Sequence, residues 1–246
     1  IWDMPETNYE EYRSVAEHAR QLEAEGFRVE RGIAGLPTAV MGEAGEGGPV
    51  IAILGEFDAL PGLSQEAGVA EKREVTANGN GHGCGHNMLG AGSMLAAAAV
   101  KDFLAANGLK GRIRYYGCPA EEGGGAKAFM ARDGLFKDVD AVLHWHPGTS
   151  NSAGDRGSLA RIAAKFRFHG KSAHAAGAPE QGRSSLDGVE LMAFAAELMR
   201  EHTPEDTRIH HVITNGGGAP NVVPDFAEIY FYVRHPKSTT VKQLYA

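Results

Sequence analysis

The chain has 246 residues, 43% of them hydrophobic, enough to bury one large core or two modest ones. Its formal net charge of −7 and the lack of any Lys/Arg run argue against nucleic acid or an anionic membrane as partner, because phosphate binding needs concentrated positive charge, and leave a small molecule as the expected ligand. The longest uninterrupted apolar run, Met94 to Val100, is too short for a bilayer, and two cysteines, Cys84 and Cys118, do not describe a disulfide-stapled secreted domain, so a cytoplasmic protein is expected.

Tyr12, Val15, Ala16, Ala19 and Leu22 recur at helical spacing and Gly26 supplies a stop, which predicts an amphipathic helix from about residue 8 to 25. Residues 49–54 form a continuous apolar run, and residues 112–116 and 141–143 read as further short strands. Helical stretches at 88–106 and 126–132 lie between them. This alternation predicts an α/β unit, a mostly parallel sheet with helices on both faces. The helix from Met88 is crowded with alanine on every side, which suits burial against that sheet.

Residues 151–157 turn to Ser, Gly, Asn and Asp and read as a linker, giving expected domains at 1–154 and 155–246. Beyond it, strands at 159–168, 208–214 and 226–233 and a helix at 184–201 suit a small α+β domain with an antiparallel sheet. A further helix begins near Ser238. The opening at Ile1 without methionine and the stop at Ala246 inside an unfinished element are the marks of a fragment.

Chemistry concentrates at three points. Cys84 and His86, in Gly81-His82-Gly83-Cys84-Gly85-His86, offer a thiolate and an imidazole on a loop whose glycines let the backbone bend both toward one point, a metal-ligand arrangement. Glu121 and Glu122 follow a strand in a Pro-then-Gly context, where one carboxylate can bind a metal while its neighbour takes the proton of a metal-activated water. His144 and His146 share a face of an extended segment. Spacing alone does not choose between them, and His146, next to Pro147 and further past the strand end, is the better ligand candidate. Asp58 can orient a ligand imidazole, or serve only as a turn residue before Pro61. In a parallel sheet all these groups would gather beyond the carboxyl ends of the strands.

Taken together, Glu56-Phe57-Asp58-Ala59-Leu60-Pro61, His82-Gly83-Cys84-Gly85-His86-Asn87, Pro119-Ala120-Glu121-Glu122-Gly123-Gly124 and Ser172-Ala173-His174-Ala175-Ala176 resemble the dinuclear metallo-amidohydrolases of the aminoacylase/carboxypeptidase family. The nearest branch is that of the aminobenzoyl-glutamate and auxin-conjugate (indoleacetyl-amino acid) hydrolases. The resemblance implies two divalent ions, manganese before zinc, with Cys84, His86, Glu122 and His146 as ligands and Glu121 as general base. It also implies an inserted lid domain that makes a homodimer contact, with His174 polarising the scissile carbonyl and Asn221 and Arg234 meeting the substrate's carboxylate.

Three departures stand beside it. Asn87 occupies a position where many relatives carry Asp, the segment around His146 is short, and the family's final histidine ligand is absent from the chain. The function implied is metal-dependent hydrolysis of the amide bond of an N-acyl or N-aroyl amino acid, aminobenzoyl-glutamate being one candidate. A dipeptide metallopeptidase and a catalytically silent metal-binding or subunit-interaction protein are the alternatives.

Overall fold

The computed structural model describes residues 1–153 and 157–246, and the chain forms two compact units, Ile1–Asn151 and Ser152–Ala246. The boundary expected at 154/155 lies outside the described residues.

The first unit runs α1 (Tyr12–Ala24), β1 (Arg28–Arg31), β2 (Val40–Glu46), β3 (Val50–Glu56), α2 (His86–Ala106), β4 (Gly111–Cys118), α3 (Ala126–Arg132) and β5 (Ala141–Leu143). Its sheet has the order β1-β2-β4-β3-β5. The trio β4, β3 and β5 is parallel, with Glu56 opposite Cys118 and Ile53 opposite Leu143. Every residue of β3 except Ile51 is buried, as a strand covered on both faces requires. The antiparallel strands β1 and β2 were not expected. The β2 sequence, with two glycines and two glutamates, carries little strand propensity, and its pairing with β4 along its whole length supplies what local sequence does not.

Helices cover both faces. Val15, Ala19 and Leu22 of α1 and Ala97 and Ala98 of α2 pack with Ile53, Phe57, Ile113 and Tyr115 on one side. On the other, Met130 of α3 packs with Ala52, Leu54, Tyr116 and Cys118. The first helix starts later than expected, at Tyr12, because Asn8 and Tyr9 hold left-handed φ values of 35° and 66°. It stops at Gly26, φ 80°, with Gly26 N–H donating to Glu23 O (3.0 Å) and Phe27 N–H to Leu22 O (2.9 Å), a Schellman closure.

The helix α2 lies against the sheet as expected, by one face only. Leu89, Gly90, Ser93, Ala97 and Ala98 face the sheet, while Leu95 and Phe103 are 71% and 60% exposed. By length and composition alone this 21-residue helix could cross a membrane, but its small-residue face lies on β3 and β4. Contact is closest at Gly90, where an added Cβ would fall 2.4 Å from Glu56 O and 2.8 Å from His18 Cε1.

The second unit contains β6 (Ala160–His169), α4 (Ser185–Met199), β7 (Arg208–Asn215), β8 (Phe226–His235) and α5 (Ser238–Tyr245), its antiparallel sheet ordered β6-β8-β7. Val189 of α4 and Val241 of α5 pack on Ile209, Ile229, Phe231 and Val233, one face of the sheet. Ser184 caps α4 by accepting the Asp187 N–H (3.2 Å). The expected helix to residue 201 ends at Met199, and its last turn tightens to a 3-10 turn, Arg200–His202.

Gly90→Ala is expected to push α2 off β3, costing about 1–3 kcal/mol by overpacking and disturbing His86 one turn earlier. Chemical denaturation with a parallel metal titration checks this, and stability and metal affinity should fall together.

Candidate metal centre

The three parallel strands β4, β3 and β5 end side by side, and the loops leaving their carboxyl ends carry the chemistry. Glu56 closes β3 and Asp58 follows two residues on. The turn after β4 carries Glu121 and Glu122, and β5 leads into His144 and His146. The loop before α2 completes the group. Of its glycines only Gly85 has a left-handed φ, 81°. Gly81 and Gly83 serve close packing instead, since a Cβ would fall 1.8 Å from Leu63 O and 2.7 Å from Leu63 Cδ1 respectively. Gly85 does both, for a Cβ there would stand 3.0 Å from Pro147, the residue after His146.

Asp58 is buried, and its two oxygens divide the work. Oδ1 accepts His86 Nδ1–H at 2.8 Å and Oδ2 accepts the Glu122 backbone N–H at 3.0 Å. With Nδ1 committed, His86 presents Nε2 to the site. His146 is set in the same way, because its Nδ1–H donates to Pro147 O (2.9 Å) and leaves Nε2 to face Cys84 Sγ at 3.3 Å. The His86 and His146 rings meet edge to face, centroids 5.4 Å apart.

Two groups of ligand atoms result, each with all members within 4.8 Å: Cys84, His86 and His146, and Glu56, His86 and Glu121. His86 belongs to both. Of the sequence candidates, Glu122 lies against the Cys84 thiol and Glu121 Oε2 lies 4.0 Å from His86 Nε2 with its side chain 45% exposed. His144 is in neither group and instead pairs with Glu56 Oε1 at 3.0 Å, and His82 donates from Nε2 to Ile1 O. Glu56 is the functional group that spacing undervalued. It is buried and held from one side by His144 and by Lys127, whose position on α3 no local motif reveals.

The donor set of thiol, imidazoles and carboxylates fits divalent transition metals. One observation tests that fit. His86 Nε2 and Glu56 Oε2, 3.0 Å apart yet misaligned for a hydrogen bond, and Glu122 Oε1 are all buried with no hydrogen-bond partner, as atoms built to face a cation would be.

The electrostatics point the same way. Burial, with the Glu122, Glu121 and Glu56 carboxylates beside it, pushes the Cys84 thiol up to about 12. Burial opposes charge on His86, but the hydrogen bond to Asp58 and the nearby Asp58 and Glu56 carboxylates outweigh it and raise the imidazole to about 10. Burial likewise opposes ionisation of Glu56, and His144, His86 and Lys127 together drive its carboxyl well below the usual range. Cys84 and Cys118 are both free thiols.

Among the candidates of the second unit, the structure brings His174 and Asn221 together. His174 bridges to Val222, Ala175 N–H donates to Asn221 O (3.0 Å), and His174 Nδ1 accepts the Gly177 N–H (3.0 Å), which leaves Nε2 free. Arg234 is not with them. It lies eight residues along β8 from Phe226, about 26 Å at strand rise, in register with Arg161 and Arg208 on its two neighbours. Such an alignment of like charges is unfavourable without an anion.

A sequence profile of the Peptidase family M20/M25/M40 matches residues 52–231. Over 246 residues the chain is 49% identical to one of the two subunit types of the p-aminobenzoyl-glutamate hydrolase of Escherichia coli (strain K12), an alignment covering 100% of this chain and 51% of that protein. It is 32% identical over 258 residues to Xaa-Arg dipeptidase of Mus musculus, covering 99% of this chain and 55% of that one. The chain therefore spans about half the length of the curated relatives it matches. The solved structure of a dinuclear metal binding peptidase of this family from Bacillus subtilis shares the fold, with a TM-score of 0.64 at 23% identity, covering 99% of this chain and 64% of that one.

A cation can bind Cys84 and His86 only as thiolate and neutral imidazole, so binding must release the protons held with pKa values of about 12 and about 10. Metal affinity is therefore expected to rise with pH up to about 12, more steeply below about 10, with about two protons released when Cys84 and His86 bind at neutral pH. Calorimetric titration in buffers of different ionisation enthalpy measures that release, and a pH-independent affinity would contradict it.

Proposed function

The chain belongs to the Peptidase family M20/M25/M40, and on that footing we propose that the protein is a metal-dependent amidohydrolase that cleaves the amide bond of N-acyl or N-aroyl amino acids, p-aminobenzoyl-glutamate among them. The observation that carries this reading is the pair of ligand-atom groups sharing His86 at the carboxyl ends of parallel strands. The 49% identity to a component of a p-aminobenzoyl-glutamate hydrolase supports the substrate class.

In this reading Cys84, His86, Glu122 and His146 would hold divalent cations, manganese first and zinc second, with Glu56 the further carboxylate grouped with His86, and Glu122, which is in neither group, beside the Cys84 thiol. Asp58 keeps His86 Nε2 aimed at them. Cations bound there supply Lewis acidity, polarising the scissile carbonyl and easing ionisation of the attacking water. Glu121, with its carboxylate 4.0 Å from His86 Nε2 and partly exposed, is assigned the role of base. It accepts one water proton as the C–O bond forms and returns it to the leaving nitrogen as the C–N bond breaks, giving a carboxylic acid and a free amino acid. His174 and Asn221 of the lid would hydrogen-bond the developing oxyanion and the substrate, and Arg234 would take a carboxylate.

The lid also offers a homodimer surface. Leu191, Phe194 and Leu198 form an exposed stripe on α4, and Val212 and Ile213 of β7 are exposed as well. Free thiols at Cys84 and Cys118 suit the reducing cytoplasm. The likeness to an Xaa-Arg dipeptidase favours a dipeptidase as the second reading.

Glu121→Gln is expected to keep metal content near wild type and lower kcat by about 10²–10⁴. Metal analysis beside release of glutamate from p-aminobenzoyl-glutamate checks it. Faster turnover of Xaa-Arg dipeptides than of aroyl-glutamates would favour the second reading, and bound metal without turnover of either would favour a silent metal-binding protein.

A further inference from the structure

The segment before α1 touches the metal centre from a side that no motif marks. Glu11 stands at the N-cap of α1, where a side-chain oxygen ordinarily accepts a backbone N–H two or three residues on. It makes no such bond. Its fully buried carboxylate turns away from its own helix, and Oε1 accepts the N–H of Ala120 (3.0 Å), 109 residues distant, together with that of Tyr9 (3.1 Å). Glu6 caps the helix instead, Oε1 accepting Arg13 N–H (3.0 Å) and Oε2 accepting Ser14 N–H (2.8 Å).

Ala120 is the residue before Glu121, and its φ of 52° is one that alanine adopts only when its surroundings impose it. Its carbonyl closes the turn by accepting the N–H groups of Gly124 (2.9 Å) and Gly125 (2.7 Å). Tyr9 OH then donates to Gly124 O (2.9 Å). The ring and its neighbour fill the space that side chains would need, for a Cβ on Gly124 would lie 2.3 Å from Tyr9 and one on Gly123 2.7 Å from Asn8. The same segment reaches the opposite turn, where Glu6 O accepts the N–H of Ala59, next to Asp58 (2.7 Å).

We propose that residues 6–11 are a clamp that sets the geometry of the Glu121–Glu122 turn, with Glu11 and Tyr9 as positioning residues of the metal centre. The purpose of the clamp rests on the metal-hydrolase reading above. Its mechanical content is local: Glu11 enforces the left-handed Ala120, Tyr9 holds the far end of the turn, and the two carboxylates between them are aimed by groups that touch neither metal nor substrate.

The test uses the full-length gene product as Glu11→Ala, Glu11→Gln and Tyr9→Phe. Manganese or zinc alone is the probe, with affinity read by chelator competition, beside melting temperature and kcat and KM on an aroyl-glutamate. Glu11→Ala is expected to weaken metal binding and lower kcat, each about tenfold, as loss of an orienting partner does, with KM little changed. Tyr9→Phe should show the same pattern at about threefold, one hydrogen bond. Glu11→Gln retains an oxygen for the Ala120 N–H and should restore both quantities. Wild-type metal affinity and kcat in Glu11→Ala and Tyr9→Phe, whatever their melting temperatures, would overturn the clamp. So would a Glu11→Gln as impaired as Glu11→Ala. If Glu11→Ala does not fold, Tyr9→Phe decides alone. If the wild type hydrolyses no acyl-amino acid, the functional reading fails while the metal affinities still judge the clamp.

Discussion

The buried carboxylate of Asp58 is the interaction on which the site depends. One oxygen takes the His86 ring N–H at the start of α2 and the other takes the Glu122 backbone N–H after β4, so a single side chain beyond β3 ties together three segments remote in sequence. Removing it would leave two buried donors unsatisfied and let the imidazole turn. The parallel trio β4-β3-β5 makes this possible, because only a parallel arrangement brings three carboxyl ends to one rim. The close approach of α2 at Gly90 then fixes the height at which His86 enters.

Around that carboxylate the first unit gathers Glu56, Glu121, Glu122 and Cys84 with His86, His144, His146 and Lys127. The protein answers this crowding of acid in two ways. Lys127 and His144 neutralise Glu56 from one side, while His86 stays charged between Asp58 and Glu56 until a stronger cation competes for its lone pair. Folding alone therefore cannot satisfy His86 Nε2, Glu56 Oε2 and Glu122 Oε1, and a site with orphaned donors of this kind stores affinity for a metal. The clamp at the amino-terminal end of the unit adds rigidity to a turn whose backbone is strained at Ala120.

Much of the centre was legible in the chain because its ligands come in short runs. Cys84 and His86 sit two apart and flank the glycine that must be left-handed, and Glu121 and Glu122 come shortly after the strand that residues 112–116 predict. The parallel strands could be read for the same reason, as burial on both faces leaves a continuous hydrophobic signature in β3. By contrast β1 and β2 owe their existence to pairing, their own residues being glycine- and charge-rich, and α2 carried an all-round apolar sequence although only one side is covered. The start of α1 was misjudged because Glu11, a helix-favouring residue in a helical period, spends its side chain on a turn far along the chain.

What the sequence determined by itself is the chemistry and the class of fold: which side chains can bind metal, which carboxylate pair can divide binding from proton transfer, and the alternation of strand and helix that demands a covered sheet. Local spacing encodes these because they depend on neighbours within a few residues. The tertiary structure alone decided that Glu56 faces His144 and Lys127, that His146 rather than His144 meets Cys84, that Arg234 lies at the far end of β8 from Asn221, and that Glu11 supports Ala120. Each of these is a contact between segments brought together by burial of apolar surface, and the free energy that selects it belongs to the packed whole rather than to any stretch of residues that could be read in isolation.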